Sequence, residues 1–506
     1  MENQFDVIVV GAGNGGLVAA ANTAKAGLKT LVLEQHNLPG GCATSFRRGQ
    51  FEFEPSLHEL CSVGTAENPS MVYRIFDELG AKPQWAYEDD CLFRAIVKGP
   101  DGYDVRLRAG IDGFCQSVEE AVPGSAKGVR AFLELKPKVD AARAYLAKSD
   151  CRPNVLTMLT KYGDFMRLSG HSVTQVLTAL GVPKRAQDLV STYWSYLGVP
   201  ADELSAMHYL NMLYDYVVNG AAMPSRRSHE LSLSLVDVIY RHGGQVRYNS
   251  RVTQLLHDPE GAVCGVVAGG EALYAKQVIS NAMPHSILPM LDARYRPEHA
   301  MRLANAREPG MSMTTVYLGL DCSAKELGIE DYTIFISDCA DTRRQHDTRQ
   351  NGSMYILNCL NNVVPGATPE GTCSLFFTLP CFGQDVPRDL QPQDYKKYKN
   401  RIAQWVIRDA EQTLGIDIIP HIEQISVATP VTFARYLGTP QGAVYGYKAS
   451  RWDNLVTRSY YEKTDYNIPG LSFCGGHYIH ANGYSCAYIM GDRAGKQAVR
   501  KLRGGA

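Results

Sequence analysis

No apolar run in this chain approaches the length of a spanning helix, and residues 1–5 do not read as a signal peptide. A cytoplasmic protein is therefore expected. No C-x-x-C pair occurs: the 13 cysteines are scattered and odd in number, which argues for reduced thiols and against a structural zinc site. Neither sign of charge prevails, since 51 Lys plus Arg oppose 52 Asp plus Glu. A net charge of −1 provides no global field for nucleic acid or acidic membranes. Internal repeats and low-complexity tracts are lacking, and so is a second G-x-G-x-x-G. A nicotinamide reductant would thus have no separate dinucleotide domain of its own. The 506 residues, 45% of them apolar, suffice for two to four domains' worth of core.

The most specific feature lies at residues 5–16, FDVIVVGAGNGG. Residues 6–10 alternate too little for a half-exposed strand and read as a buried parallel one. Gly11 allows a tight turn, Gly13 lets backbone approach a pyrophosphate, and Gly16 lets the next helix pack closely on the strand. A phosphate would then meet unpaired N–H groups at the positive end of that helix. A second strand, Thr30–Leu33, ends in Glu34, at about the 20-residue spacing of a ribose-hydroxyl acceptor. Glu34 fits FAD or NAD and would repel the 2'-phosphate of NADP.

Beyond Glu34 runs LEQHNLPGGCATSFRRGQFEFEPSLHEL, with paired glycines at 40 and 41, Phe51, Phe53 and His58. Strand, GAGNGG, Glu34 and the glycine pair together resemble the FAD-binding start of flavoproteins that include phytoene desaturases, carotene isomerases, retinol saturases and amine oxidases. The pattern LEQH..PGGC..SF...FEF....H looks most like the retinol saturase and carotene isomerase branch. In that group the paired glycines carry the chain past the flavin end of the cofactor. The segment GGHYIHANGYSCAYIMGDRAGKQAVRKL, from 475 to 502, is similar to the family's closing flavin segment, in which a glycine-led helix aims its N-terminus at the flavin pyrimidine. A positive helix end there would stabilise an anionic reduced flavin. One position departs from the pattern: Gly476 stands where the family usually has Asp. Residues 231–242, 245–252, 263–267 and 277–280 read as a helix and strands of the same unit, with Val252 meeting the adenine in the relatives.

The resemblance implies an α/β fold, an FAD-binding Rossmann-type (glutathione-reductase-like) domain interleaved with a mixed sheet-plus-helix substrate domain. Residues 1–110, 225–295 and 450–506 would build the first, and 111–224 (helical) and 296–449 (sheet) the second. The expected FAD-binding residues are Gly11, Gly13, Asn14, Gly15, Gly16, Glu34, Gln35, Gly40, Gly41, Cys42, Val252, Gly475, Gly476, Asn482, Gly483 and Tyr484, with Ala481 carried over beside them. In the second domain, 313–320, 353–360 and 373–379 read as strands, and 429–447 resembles a family loop-and-turn stretch that brings Tyr445 and Tyr447 toward the flavin.

The helical insert is rich in bulky apolar residues, among them Phe165, Met166, Tyr193, Trp194, Tyr196, Met207, Tyr209, Met212, Leu213, Tyr214 and Tyr216. They serve either as core or as the lining of a tunnel for a long lipophilic substrate. His58 lies where relatives approach the flavin ring and is a candidate proton donor, with a purely structural histidine as the competing reading. His477 and His480 are not spaced as a metal pair without further ligands, and no metal is expected. The basic helix 395–408 reads as a solvated face in preference to a membrane contact. MPSRRSHE, residues 223–230, departs from the Tyr-Pro and glycines usual in desaturases. Because buried arginines require an anion, Arg226 or Arg227 is expected to meet a carboxylate, an enolate or the FAD pyrophosphate.

The expected activity is FAD-dependent oxidation, reduction or cis/trans isomerisation at carbon–carbon bonds of a lipophilic polyene or isoprenoid. His58, Arg226, Arg227 and Tyr445 are its candidate catalytic residues. An amine oxidase on the same fold is one alternative. A non-catalytic lipid-binding escort is another, and the intact glycines and Glu34 speak against it. Substrate, direction, electron partner and oligomeric state are not encoded in these motifs.

Overall fold

The computed structural model describes residues 3–88, 90–148, 154–347, 354–449, 452–453, 455–478 and 483–504. Two seven-stranded sheets organise it. In the first, Gln4–Val10 lies between Thr30–Leu33 and Glu271–Ser280, parallel to both; Gln245–Arg247 extends one side and Leu471–Phe473 pairs with Glu271–Ser280. Val252–His257 and Val263–Ala268 complete it as an antiparallel meander. Val7, Ile8 and Val9 are fully buried, as a strand covered on both faces requires.

The helix Asn14–Lys25 covers one face of this sheet and packs against the last helix, Tyr484–Leu502, and against Arg227–Arg241. Small residues make the first contact close. A Cβ on Gly491 would come within 2.3 Å of the Gly15 carbonyl oxygen, and one on Gly495 within 2.6 Å of Asn22 Cβ. Asn22 Nδ2 donates to Asp492 Oδ1 at 3.1 Å across the same seam. The two ends of the chain are thereby joined.

The second sheet runs Ile422–Ala428, Ser312–Leu320, Cys373–Cys381, Met354–Cys359, Thr333–Ser337, Cys91–Val97, Tyr103–Arg108. It is antiparallel except where Thr333–Ser337 meets Cys91–Val97. Residues 91–108 therefore belong here, which corrects the expectation that 1–110 lies wholly with the first sheet. Their partner strand lies more than 200 residues away, so no local pattern marks the switch. The hairpin of Phe46–Arg48 and Phe51–Phe53 also leans on this sheet, with Phe51 lying where a Cβ on Gly319 would be 2.4 Å from its ring. Helix Tyr395–Leu414 buries Ala403, Val406, Ile407 and Ala410 against the sheet, while Lys396, Lys397, Arg401 and Arg408 are exposed. Residues 430–437, expected as loop, form a helix, Pro430–Leu437. Proline occupies its first turn, where no N–H is needed.

Helices from Ile111–Ala121 to Ala206–Asn219 pack into a third body whose core includes Tyr193, Trp194, Tyr209 and Leu213. Among the described residues no helix is long and apolar enough to cross a membrane.

One buried ion cluster fastens the segment that enters the last helix. Asp453 accepts from Arg307 Nε at 2.8 Å and from Arg458 Nε at 2.9 Å, with all three side chains 1% exposed. Arg307 also lies 3.8 Å from the centre of the Tyr447 ring. Removing the anion would leave two guanidiniums stranded. Asp453→Ala is expected to destabilise the fold by about 3–5 kcal/mol in chemical denaturation.

Candidate functional site

The carboxyl ends of three parallel strands converge on one end of a cavity of about 1200 Å³. Gly11 follows the first strand, Glu34 the second, and Asn281 follows Glu271–Ser280. This is where open parallel sheets bind ligands. Gly11 has φ +95°, and a Cβ on Gly16 would fall 2.1 Å from the Gly11 carbonyl oxygen. Only glycine allows the helix to begin so close to the strand.

The second glycine turn lies alongside. Gly40 N donates to Ala12 O at 2.7 Å, and a Cβ on Gly41 would stand 3.5 Å from Gly13 Cα. Glu34, 7% exposed, accepts from Ala12 N at 2.7 Å and from His36 N at 2.9 Å. Each carboxylate oxygen retains capacity for another donor, so Glu34 can hold the loop and also receive a ribose hydroxyl. Asn14 Oδ1 is buried without a partner at the head of the first helix. The cradle free of side chains, the helix N-terminus and the acidic residue fit a dinucleotide.

Of the residues expected to hold a cofactor, Gly11, Gly13, Asn14, Gly15, Glu34, Gln35, Gly40, Gly41, Cys42, Val252, Gly476, Gly483 and Tyr484 line this cavity. Gly16 and Gly475 lie behind the lining, the latter so near Gly15 that a Cβ on Gly15 would meet its nitrogen at 2.7 Å. His480, Ala481 and Asn482 fall outside the described residues. The last helix opens onto the cavity and is pinned there: Tyr484 Oη donates to Cys42 O at 2.8 Å, and Ser485 Oγ to Cys61 O at 2.8 Å.

Asn281 went unnoticed in the sequence. Its side chain fills the gap between Gly13 and Gly475, and a Cβ on Gly13 would lie 2.6 Å from its Nδ2. The signal available was its place immediately after a buried parallel strand.

The cavity continues away from the glycine turns between the helical body and the second sheet, past Tyr196, Leu197, Met212, Tyr216, Met313 and Tyr445. Of the bulky residues considered for a tunnel, Tyr196, Met212 and Tyr216 face it, whereas Tyr193, Trp194, Tyr209 and Leu213 are core and Met166 is exposed. His58 also lines it, stacked at 5.5 Å on Tyr196. Burial pushes the His58 imidazole down to about 4, so the ring is neutral at neutral pH. An imidazolium proton donor at this position is thereby disfavoured. His477 is also on the wall, lowered to about 3 by burial and by Arg307. Tyr445 is on the wall as well, its phenol raised above the ordinary range by burial. Tyr447 instead packs beneath Arg307.

The expectation for Arg226 and Arg227 is corrected. Neither lines the cavity. Arg226 is exposed, and its backbone N–H is held by Glu230. Arg227, at φ +63°, donates to Glu52 O at 2.9 Å and to Ala367 O, and lies 3.5 Å from the Glu52 carboxylate. Two backbone carbonyls and the Glu52 carboxylate of the chain itself, not a ligand, surround its guanidinium. Asp321, Cys322 and His421 bring ligand-type atoms within 4.8 Å of one another at the second sheet, but His421 Nδ1 and Asp321 Oδ1 already pair at 2.9 Å.

Comparison with known proteins agrees with this geometry. A family model described as an NAD(P)-binding Rossmann-like domain matches residues 9–79. The chain is similar to all-trans-retinol 13,14-reductase of Rattus norvegicus, 27% identical over 492 residues, covering 88% of this chain and 77% of the relative. It is also similar to prolycopene isomerase 2 (chloroplastic) of an Oncidium hybrid cultivar, 22% identical over 466 residues, covering 88% and 75%. A solved structure of a putrescine oxidase variant shares the fold, with TM-score 0.62, 16% identity and coverage of 98% and 99%. The clamp, the closing helix and the apolar extension thus share one cavity in a chain that is similar, over most of its length, to retinol reductases and prolycopene isomerases.

Proposed function

We propose that this protein is an FAD-dependent oxidoreductase acting on carbon–carbon bonds of a lipophilic polyene or isoprenoid. The observation that carries the reading is the continuity of one cavity, from the glycine turns to a wall of Tyr196, Leu197, Met212, Met313 and Tyr445. When bound, a flavin exchanges hydride with carbon at such a site. The retinol reductase and prolycopene isomerase similarities support polyenes as the substrate class.

The chain's own residues do the rest. Backbone N–H groups at Gly13–Gly15 would take the pyrophosphate, and Glu34 a ribose hydroxyl. The N-terminus of Tyr484–Leu502 would favour negative charge on the flavin. An unactivated polyene offers few hydrogen bonds, so Tyr196, Met212 and Tyr445 would orient it by shape and exclude water. The amine-oxidase alternative calls for a lysine near the flavin. Among the described lining residues the lysine is Lys136, and Asp140 holds it at 2.6 Å.

Three outcomes are expected. The purified protein, supplied with FAD, shows a flavin visible spectrum and in its oxidised or dithionite-reduced form converts a polyene under anaerobic conditions; bleaching by amines alone would overturn the reading. Gly16→Ala, which drives a Cβ into the Gly11 carbonyl, abolishes flavin retention on gel filtration. Arg226→Ala leaves spectrum and turnover unchanged, whereas Arg227→Ala lowers stability by about 1–3 kcal/mol in urea because it strips two buried carbonyls of their donor.

A further inference from the structure

Asn281, at the third strand end of the cradle, has no part in the proposed function so far. Its backbone N–H donates to Val10 O at 2.9 Å, which continues the pairing of Gln4–Val10 with Glu271–Ser280 by one residue. The side chain therefore starts from a fixed point and reaches in among the glycines. A Cβ on Gly13 would lie 2.6 Å from Asn281 Nδ2, and Cβ atoms on Gly15 and Gly475 would lie 2.9 and 2.8 Å from its Oδ1. A Cβ on Gly16 would stand 3.1 Å from Asn281 Cβ, and one on Gly11 would stand 3.6 Å from it. Four glycines of the first turn and one that follows strand Leu471–Phe473 thus surround a single amide. Their missing side chains leave the room that it fills.

The two ends of that amide are not equivalent. Oδ1 accepts from the buried Cys474 thiol at 3.7 Å, and burial keeps this thiol protonated, so it is the donor of the pair. Oδ1 is thereby turned toward the segment that leads to the last helix, and Nδ2 toward Gly13. Nδ2 meets no acceptor among the described residues and, unlike Asn14 Oδ1, is open to the cavity that Asn281 lines. An amide with a free N–H stands beside the glycines that lead into Asn14–Lys25. A helix N-terminus favours an anion, and a donor hydrogen-bonds more strongly to a charged acceptor than to a neutral one.

We propose that Asn281 is a phosphate-binding residue of the dinucleotide site: Nδ2 donates to the pyrophosphate, while Oδ1 ties the same side chain to the segment entering the last helix. The inference rests on the dinucleotide half of the proposed function. One amide then answers to both halves of the cradle. Alanine here would open a gap among the glycines and leave the pyrophosphate one donor short. Aspartate would keep the shape and turn a carboxylate toward a diphosphate.

The test titrates the full chain, stripped of flavin, and its Asn281→Ala and Asn281→Asp variants with FAD, ADP and adenosine. ADP carries the diphosphate and adenosine lacks it, so their comparison isolates the contact. Asn281→Ala is expected to bind FAD and ADP roughly 10- to 100-fold more weakly, with adenosine affinity unchanged. Asn281→Asp is expected to be weaker still. A side chain that only filled the gap would give the reverse order, with Asn281→Asp closer to the wild type than Asn281→Ala. Should either variant fail to fold, a crystal structure of the wild type with ADP decides, and it is expected to show Nδ2 within hydrogen-bond distance of a phosphate oxygen. Unchanged ADP affinity in Asn281→Ala, the reverse order of the two variants, or an ADP complex with Nδ2 turned away from both phosphates overturns the proposal. A wild type that takes ADP but retains no flavin and converts no polyene overturns the proposed function instead, and the ADP comparison still decides the role of Asn281. Binding of neither FAD nor ADP overturns both.

Discussion

The contact between the first helix and the last is the constraint on which the site depends. Gly15 and Gly491 meet backbone to backbone, at a separation that no side chain on Gly491 would permit. This closeness brings the N-terminus of Tyr484–Leu502 beside the glycine turns, nearly 500 residues away in sequence, and lets Tyr484 tie itself to Cys42. Widening that seam would separate the two halves of the dinucleotide cradle. Dense packing transmits such shifts because interiors have little free volume.

Around this seam, polar groups are treated in two ways. Where a charge serves the fold it meets opposite charge or backbone: Asp453 lies between two guanidiniums, and Arg227 is met by two carbonyls and the Glu52 carboxylate. Along the cavity Asn14 Oδ1 and His58 Nε2 have no partner of ordinary geometry.

Legibility in the sequence followed the locality of each signal. The glycine turn, Glu34 and the helix after Gly13 are local, and the structure brings them together at one end of the cavity. Residues 91–108 were placed with the wrong sheet because strand pairing across more than 200 residues leaves no mark in the strand itself. Arg226 and Arg227 invited a ligand because burial was foreseen but its partners, backbone carbonyls of Glu52 and Ala367, were not. Glu59 was passed over beside His58, since Glu88 lies beyond strand Trp85–Tyr87 and only contact between them makes either one unusual.

The sequence by itself determined the glycine turn between strand and helix at the start of the chain, the acidic residue that ends the second strand and the glycine-led last helix, because each is written in the spacing of glycines, apolar runs and one carboxylate. Only the tertiary structure decided which aromatic residues face the cavity, that Arg226 and Arg227 stand away from it, and that Glu59 and Glu88 meet behind its wall. Those outcomes depend on distances between residues far apart in the chain, and burial and charge coupling exist only once such distances are set.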